Sequence, residues 1–139
     1  RVNITPNIKP EDLEILGAKV HFLERTALDH IRADANIKTT IPDGFERMLE
    51  HIAVHRYFMG LDLKRHISEE EAVGHWYDTV YLPIVEIIRK SNILKDFKGK
   101  TEGDLYLWTL DHQHYLTQEK GQTLQPPEEA ARQFIEEKE

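Results

Sequence analysis

The 139-residue chain contains no cysteine. That absence excludes disulfides, thiolate metal sites and cysteine nucleophiles, and it suits a reducing compartment. No apolar run reaches the roughly 18 residues of a membrane span, and the first residues do not form a secretory signal. The expectation is a soluble, cytoplasmic chain with no membrane partner. The 7 glycines are scattered, so no G-x-G-x-x-G or Walker loop is present to cradle a nucleotide, and no G-x-S-x-G elbow is present for acyl transfer. Basic residues are also in the minority. With 18 lysines and arginines against 25 acidic residues, a formal charge of −7 opposes broad association with a polyanion.

What the chain does have is amphipathic helical pattern. Residues 68–94 are the most apolar continuous segment, and the rest is expected to pack around it. Ser68 is placed as an N-cap with Glu71 three residues on, the pattern of a capping box. Ala72, Trp76, Val80, Ile84, Ile87 and Ile88 recur at helical spacing, while Val73, Tyr77, Tyr81 and Val85 line a second flank. Pro83 lacks an amide, so the helix either kinks there or restarts with Pro83 in its first turn.

Around this segment, Pro10 to about His30 reads as one amphipathic helix, with Leu13, Leu16, Val20, Leu23, Ala27 and Ile31 on its inner face. Residues 36–41 alternate over too short a length for more than an extended connector or short strand. After the Pro42–Gly44 break, Phe45, Met48, Leu49, Ile52, His55 and Met59 share one face of a helix that Gly60 is expected to stop. Thr101 can cap a later helix whose inner face holds Leu105, Trp108, His112, Tyr115 and Leu116 and which ends at Gly121. Pro126 and Pro127 introduce a short last helix, with Ala130, Ala131, Phe134 and Ile135 as a narrow stripe expected to dock loosely or stay mobile.

The predicted fold class is therefore all-α, an irregular bundle of four to five helices. Its domain plan is an extended lead-in at 1–9, a bundle at 10–121, and a linker with a C-terminal helix at 122–139. No repeat of 20 to 50 residues and no low-complexity tract is present. The lead-in RVNITPNIK alternates polar and apolar residues around Pro6, as an edge strand does. Because Arg1 rather than methionine stands first, the chain is expected to be a piece of a longer one whose upstream part is missing.

Three constellations are candidates for chemistry. His51 and His55 lie four apart on one helix, Glu71 and His75 repeat the spacing with Asp78 close by, and His112 and His114 follow Asp111 on a third helix. Converged in a bundle, these would form a His/carboxylate site for zinc, iron or manganese with an open position for water, and hence hydrolysis. Against it, neither H-E-x-x-H nor the Glu-x-x-His of di-iron bundles occurs. Second, Arg89, Lys90, Lys95, Lys98 and Lys100 make a local basic surplus that suits phosphate or nucleic acid, although cations also collect at helix C-termini for their own reasons. Third, Trp76, Tyr77 and Tyr81, with Tyr106, Trp108 and Tyr115, could stack bases. Their helical spacing makes them core aromatics first.

The blocks EHIAVHRYFMGLD (50–62), EEAVGHWYDTVYLPIVEIIR (70–89) and GKTEGDLYLWTLDHQHYL (99–116) resemble a prokaryotic family of uncharacterised transcriptional regulators. That family is associated with an upstream ParB-like (sulfiredoxin/nuclease-like) domain. The resemblance implies a regulatory setting and nucleic-acid contact through the upstream domain, and it supplies no site residues. The functional expectation is a non-catalytic module acting through a protein partner or as a homo-oligomer. The alternatives are the metal-dependent hydrolase and a nucleic-acid-binding accessory.

Overall fold

Helix starts and stops in this chain are set by a few side chains that satisfy free backbone groups. The computed structural model describes residues 9–138, so the expected edge strand at the start of the chain lies outside the described residues. Helix α1 (Pro10–Thr26) begins with proline in its first turn, as the sequence indicates. It does not run on to His30. Ala27 takes a left-handed conformation (φ 53°) and a single turn, α2 (Leu28–Ile31), follows. The Thr26 hydroxyl holds this break, donating to the Phe22 carbonyl at 2.8 Å and accepting the Leu28 amide at 3.3 Å. The redirected chain buries Leu28 together with Phe22, and the predicted inner residues Leu13, Leu16 and Val20 are left about half exposed.

Residues 36–41 form an extended connector, and no strand occurs among the described residues. Ile37 and Thr39 of this connector are buried. Helix α3 (Gly44–Leu63) buries Phe45, Met48, Ile52 and Met59, then passes through Gly60 and ends only where Lys64 turns left-handed. Gly60 is not the expected stop, and a Cβ there would meet the Arg65 carbonyl only at ordinary contact distance, 3.4 Å.

Ser68 caps α4 (Glu69–Trp76), accepting the Glu71 amide at 3.1 Å. The reciprocal half of the expected capping box is missing, because the Glu71 carboxylate instead engages Arg65 at 2.6 and 3.0 Å. A π-helical turn (Tyr77–Tyr81) then leads into α5 (Leu82–Ser91), with Pro83 in its first turn and the Leu82 amide bonded to the Tyr77 carbonyl. The wide turn accommodates the missing proline amide without a break in the chain. Trp76 and Ile84 are 1% and 0% exposed, so this segment is the centre of the core.

A short 3₁₀ turn (Ile93–Asp96) leads to α6 (Glu102–Glu119), where Thr101 and Asp104 form the complete capping box. The buried face of α6 is carried by Leu105, Tyr106, Leu107, Thr109 and Gln113, rotated from the expected stripe: Trp108 and His112 are half-buried and Tyr115 is exposed. Helix α7 (Pro127–Lys138) packs against α5 and α6 and buries Ala130, Ala131, Phe134 and Ile135. It is part of the bundle, contrary to the expected loose docking. The architecture is an all-α irregular bundle.

Candidate functional site

The expected metal ligands are distributed by the fold rather than gathered. On α3, His51 faces inward and its Nδ1 lies 3.0 Å from the Tyr106 hydroxyl. That hydroxyl accepts the Trp76 indole N–H at 3.1 Å, so its own hydrogen is free to be donated to His51. Burial, aided by the charge of Arg47, pushes the His51 pKa down to about 4, which keeps the imidazole neutral and able to accept. This is a satisfied core histidine.

His55, one turn on, meets His75 of α4, with Nε2 and Nδ1 2.7 Å apart and the rings stacked at 4.9 Å. One ring donates and the other accepts. Burial and the neighbouring His75 both hold His55 below its ordinary pKa. The other candidates are occupied elsewhere. Glu71 is bound by Arg65, and Asp78 accepts two hydrogen bonds from Arg32, at 2.9 and 2.5 Å. His112 lies between Tyr115 and Phe134, and His114 is exposed. Among the described residues no three His, Asp or Glu side chains converge where one ion would be held. Only the His55–His75 pair of the expected constellation is brought together.

The basic group is likewise divided. Arg89 is held by Glu102 through two hydrogen bonds, at 2.5 and 2.9 Å, and Lys100 lies 5.7 Å over the Trp108 ring. Lys90 borders a shallow cleft with Ile87, Arg132 and Glu136, while Lys95 and Lys98 are exposed in the 3₁₀ turn and the loop after it. Of the expected stacking platform, Trp76, Tyr77, Tyr81 and Tyr106 are core residues. Burial raises the Tyr81 and Tyr106 hydroxyl pKa values well above the usual range, as in a dry interior.

The surface that sequence reasoning missed lies on the outer side of α3. Val54, Tyr57, Phe58 and Leu61 are 54%, 63%, 56% and 54% exposed, and they follow one another at i, i+3, i+4 and i+7. That spacing places them on one face about two turns long. The Tyr57 and Phe58 rings meet edge to face at 5.4 Å. Glu50 stands one turn before the stripe and Lys64 just after it, both exposed. The signal was available in the sequence, because α3 is apolar on two sides, and assigning one side to the core leaves the other to be covered. No known family model, curated protein or solved structure matches this chain. The reading of its function therefore rests on this geometry. No helix among the described residues is long and apolar enough to cross a membrane.

Proposed function

We propose that this chain is a non-catalytic, cytoplasmic helical module of a regulatory protein, acting through protein contacts made by the outer face of α3. The observation that carries the reading is the stripe Val54, Tyr57, Phe58 and Leu61, four large apolar side chains each more than half exposed on a single helix face. Scattered apolar residues are ordinary at a surface, whereas a contiguous patch on the order of 400 Å² is the kind that protein partners cover. The enclosing elements give that face a rigid backing, since Met48, Ile52 and Met59 on the other side of α3 are buried. Dispersal of the histidines and carboxylates among separate hydrogen-bonded and ion pairs supports a scaffold over a hydrolase. The regulatory setting is taken only from the sequence resemblance of residues 50–62, 70–89 and 99–116 to regulators with a ParB-like domain, while the contact role rests on the geometry of α3. Any nucleic-acid contact is assigned to such an upstream domain.

A photo-crosslinking amino acid at position 58, introduced into the protein in its native cells, tests the contact. Expected is a discrete protein adduct from position 58 and none from position 86, an exposed site on α5. Equal labelling from both positions, or no protein adduct from position 58, would overturn the reading.

A further inference from the structure

The apolar order along the α3 face is the same read in either direction, and the charges at its two ends are opposite. From one end it runs acid, aliphatic, aromatic, aromatic, aliphatic, base: Glu50, Val54, Tyr57, Phe58, Leu61, Lys64. A two-fold axis between positions 57 and 58 therefore places Val54 on Leu61 of a second copy, while Tyr57 and Phe58, about 100° apart on the helix, each meet their own counterpart on either side of the axis. The same axis brings Glu50 to the end that carries Lys64 and Arg65. Such an order suits a two-fold interface, because there the residue facing j from i also faces i from j. Had the charges at the two ends been alike, antiparallel pairing would set like against like. Here the acid and the base fall on each other.

We infer that the partner of the α3 face is a second copy of this chain, docked antiparallel through α3 as a two-fold homodimer. The inference rests on the proposed contact role of this face and adds the identity of the partner. Size sets its strength. Each stripe supplies on the order of 400 Å² of apolar surface, and the flanking Glu50, Lys64 and Arg65 bring the total for both copies to about 1,000 Å², the low end of specific interfaces. The dimer is accordingly weak and reversible. The aromatic pair at the centre is its anchor, in the position where interface energy concentrates. The exposed Glu50 and Lys64 at the rim fix direction and register more than affinity.

Sedimentation equilibrium over about 1 μM to 1 mM tests the proposal. The native chain is expected to pass from monomer to dimer within that range, and Phe58→Glu to remain monomeric with an unchanged circular dichroism spectrum. Glu50→Lys and Lys64→Glu are each expected to weaken the dimer about threefold to tenfold, each change acting at both ends, and the double exchange is expected to restore it. Because the chain has no cysteine, Val54→Cys combined with Leu61→Cys should give an intermolecular 54–61 disulfide on mild oxidation, and Val54→Cys alone should give little. A native chain that stays monomeric throughout, a dimer untouched by Phe58→Glu, or a charge exchange without rescue would overturn the inference. If the chain is monomeric while position 58 still cross-links to a different protein in cells, the second copy is wrong and the contact role stands. If position 58 yields no protein adduct and the chain is monomeric, both fall.

Discussion

Asp104 is fully buried, yet it is ionised and satisfied. Its Oδ1 accepts the Thr39 hydroxyl at 2.5 Å and the Thr40 amide at 2.7 Å, and its Oδ2 accepts the Thr40 hydroxyl at 2.7 Å and the Thr101 amide at 3.0 Å. Burial alone would raise its pKa, but four donors outweigh it and hold the carboxyl below the ordinary range. The same carboxylate thus caps α6 and pins the 36–41 connector across the bundle. Replacing it with alanine removes an acceptor from four donors, three of them in the connector, and is expected to cost about 3 kcal/mol in denaturant unfolding. Its neighbour Gly103 is required by contact. A Cβ there would stand 2.1 Å from the Lys38 carbonyl oxygen, which is backbone and also accepts the Thr101 hydroxyl at 2.5 Å. Gly103→Ala is therefore expected to destabilise by at least about 3 kcal/mol despite alanine's better helix propensity, measured by the shift in urea midpoint. A gain in stability would refute the contact. From sequence, Thr101 was legible as a cap because capping is a local act. The second duty of Asp104 was not, since its partners lie more than 60 residues away in the chain.

At the scale of elements, periodicity located the helices and was weaker on their ends and orientation. Six apolar residues at helical spacing made residues 10–30 read as one rod, but Thr26 offers its hydroxyl to the Leu28 amide and the chain turns at Ala27. Gly60 reads as a terminator by propensity, yet the helix runs on to Leu63 and ends only where Lys64 turns left-handed. In α6 nearly every position from 103 to 109 is buried, so no single stripe in the sequence could orient the helix. α7 was undervalued for a different reason: two of its four apolar residues are alanines, whose small size disguises close approach to α5. Ala131 and Phe134 are 0% and 1% exposed. Phe134→Ala should therefore behave as a core truncation, losing about 3 to 4 kcal/mol in chemical unfolding. A chain ending at residue 125 should lose the cooperative transition, because α7 packs against both α5 and α6 and buries Ala130, Ala131, Phe134 and Ile135 there. A cooperative melt in that shortened chain would show that α7 is an accessory.

For the molecule as a whole, the shifted His51 and His55 couple pH to folding stability. Because its potential ligands are separated, exhaustive treatment with a chelator is expected to leave the thermal midpoint unchanged, and a fall of several degrees would revive the metal reading. Acid should act instead. An unfolded histidine titrates near about 6.5, whereas folded His51 titrates at about 4. As pH falls from about 6.5 towards 4, the unfolded chain therefore binds a proton that the native chain does not, and stability must fall with it. Above that window both states hold a neutral ring and the term vanishes. His55, also held low by burial and by His75, adds a penalty of the same sign. The Asp104 contribution lies lower, fully present above its unfolded value near about 3.9 and lost only as pH falls through its depressed native one. The chemical reason at His51 is specific. Once protonated, Nδ1 becomes a donor aimed at a hydroxyl that already accepts the Trp76 indole, and the hydrogen of Tyr106 loses its acceptor. Between pH 7 and 5 the His51 term is expected to remove about 1 to 2 kcal/mol, seen as a drop of several degrees in melting temperature. His51→Gln keeps an acceptor within reach of Tyr106 but has no titrating ring, so its melting temperature should fall less over the same interval. An identical slope in the variant would move the acid sensitivity to other groups, with the His55–His75 contact the next to change.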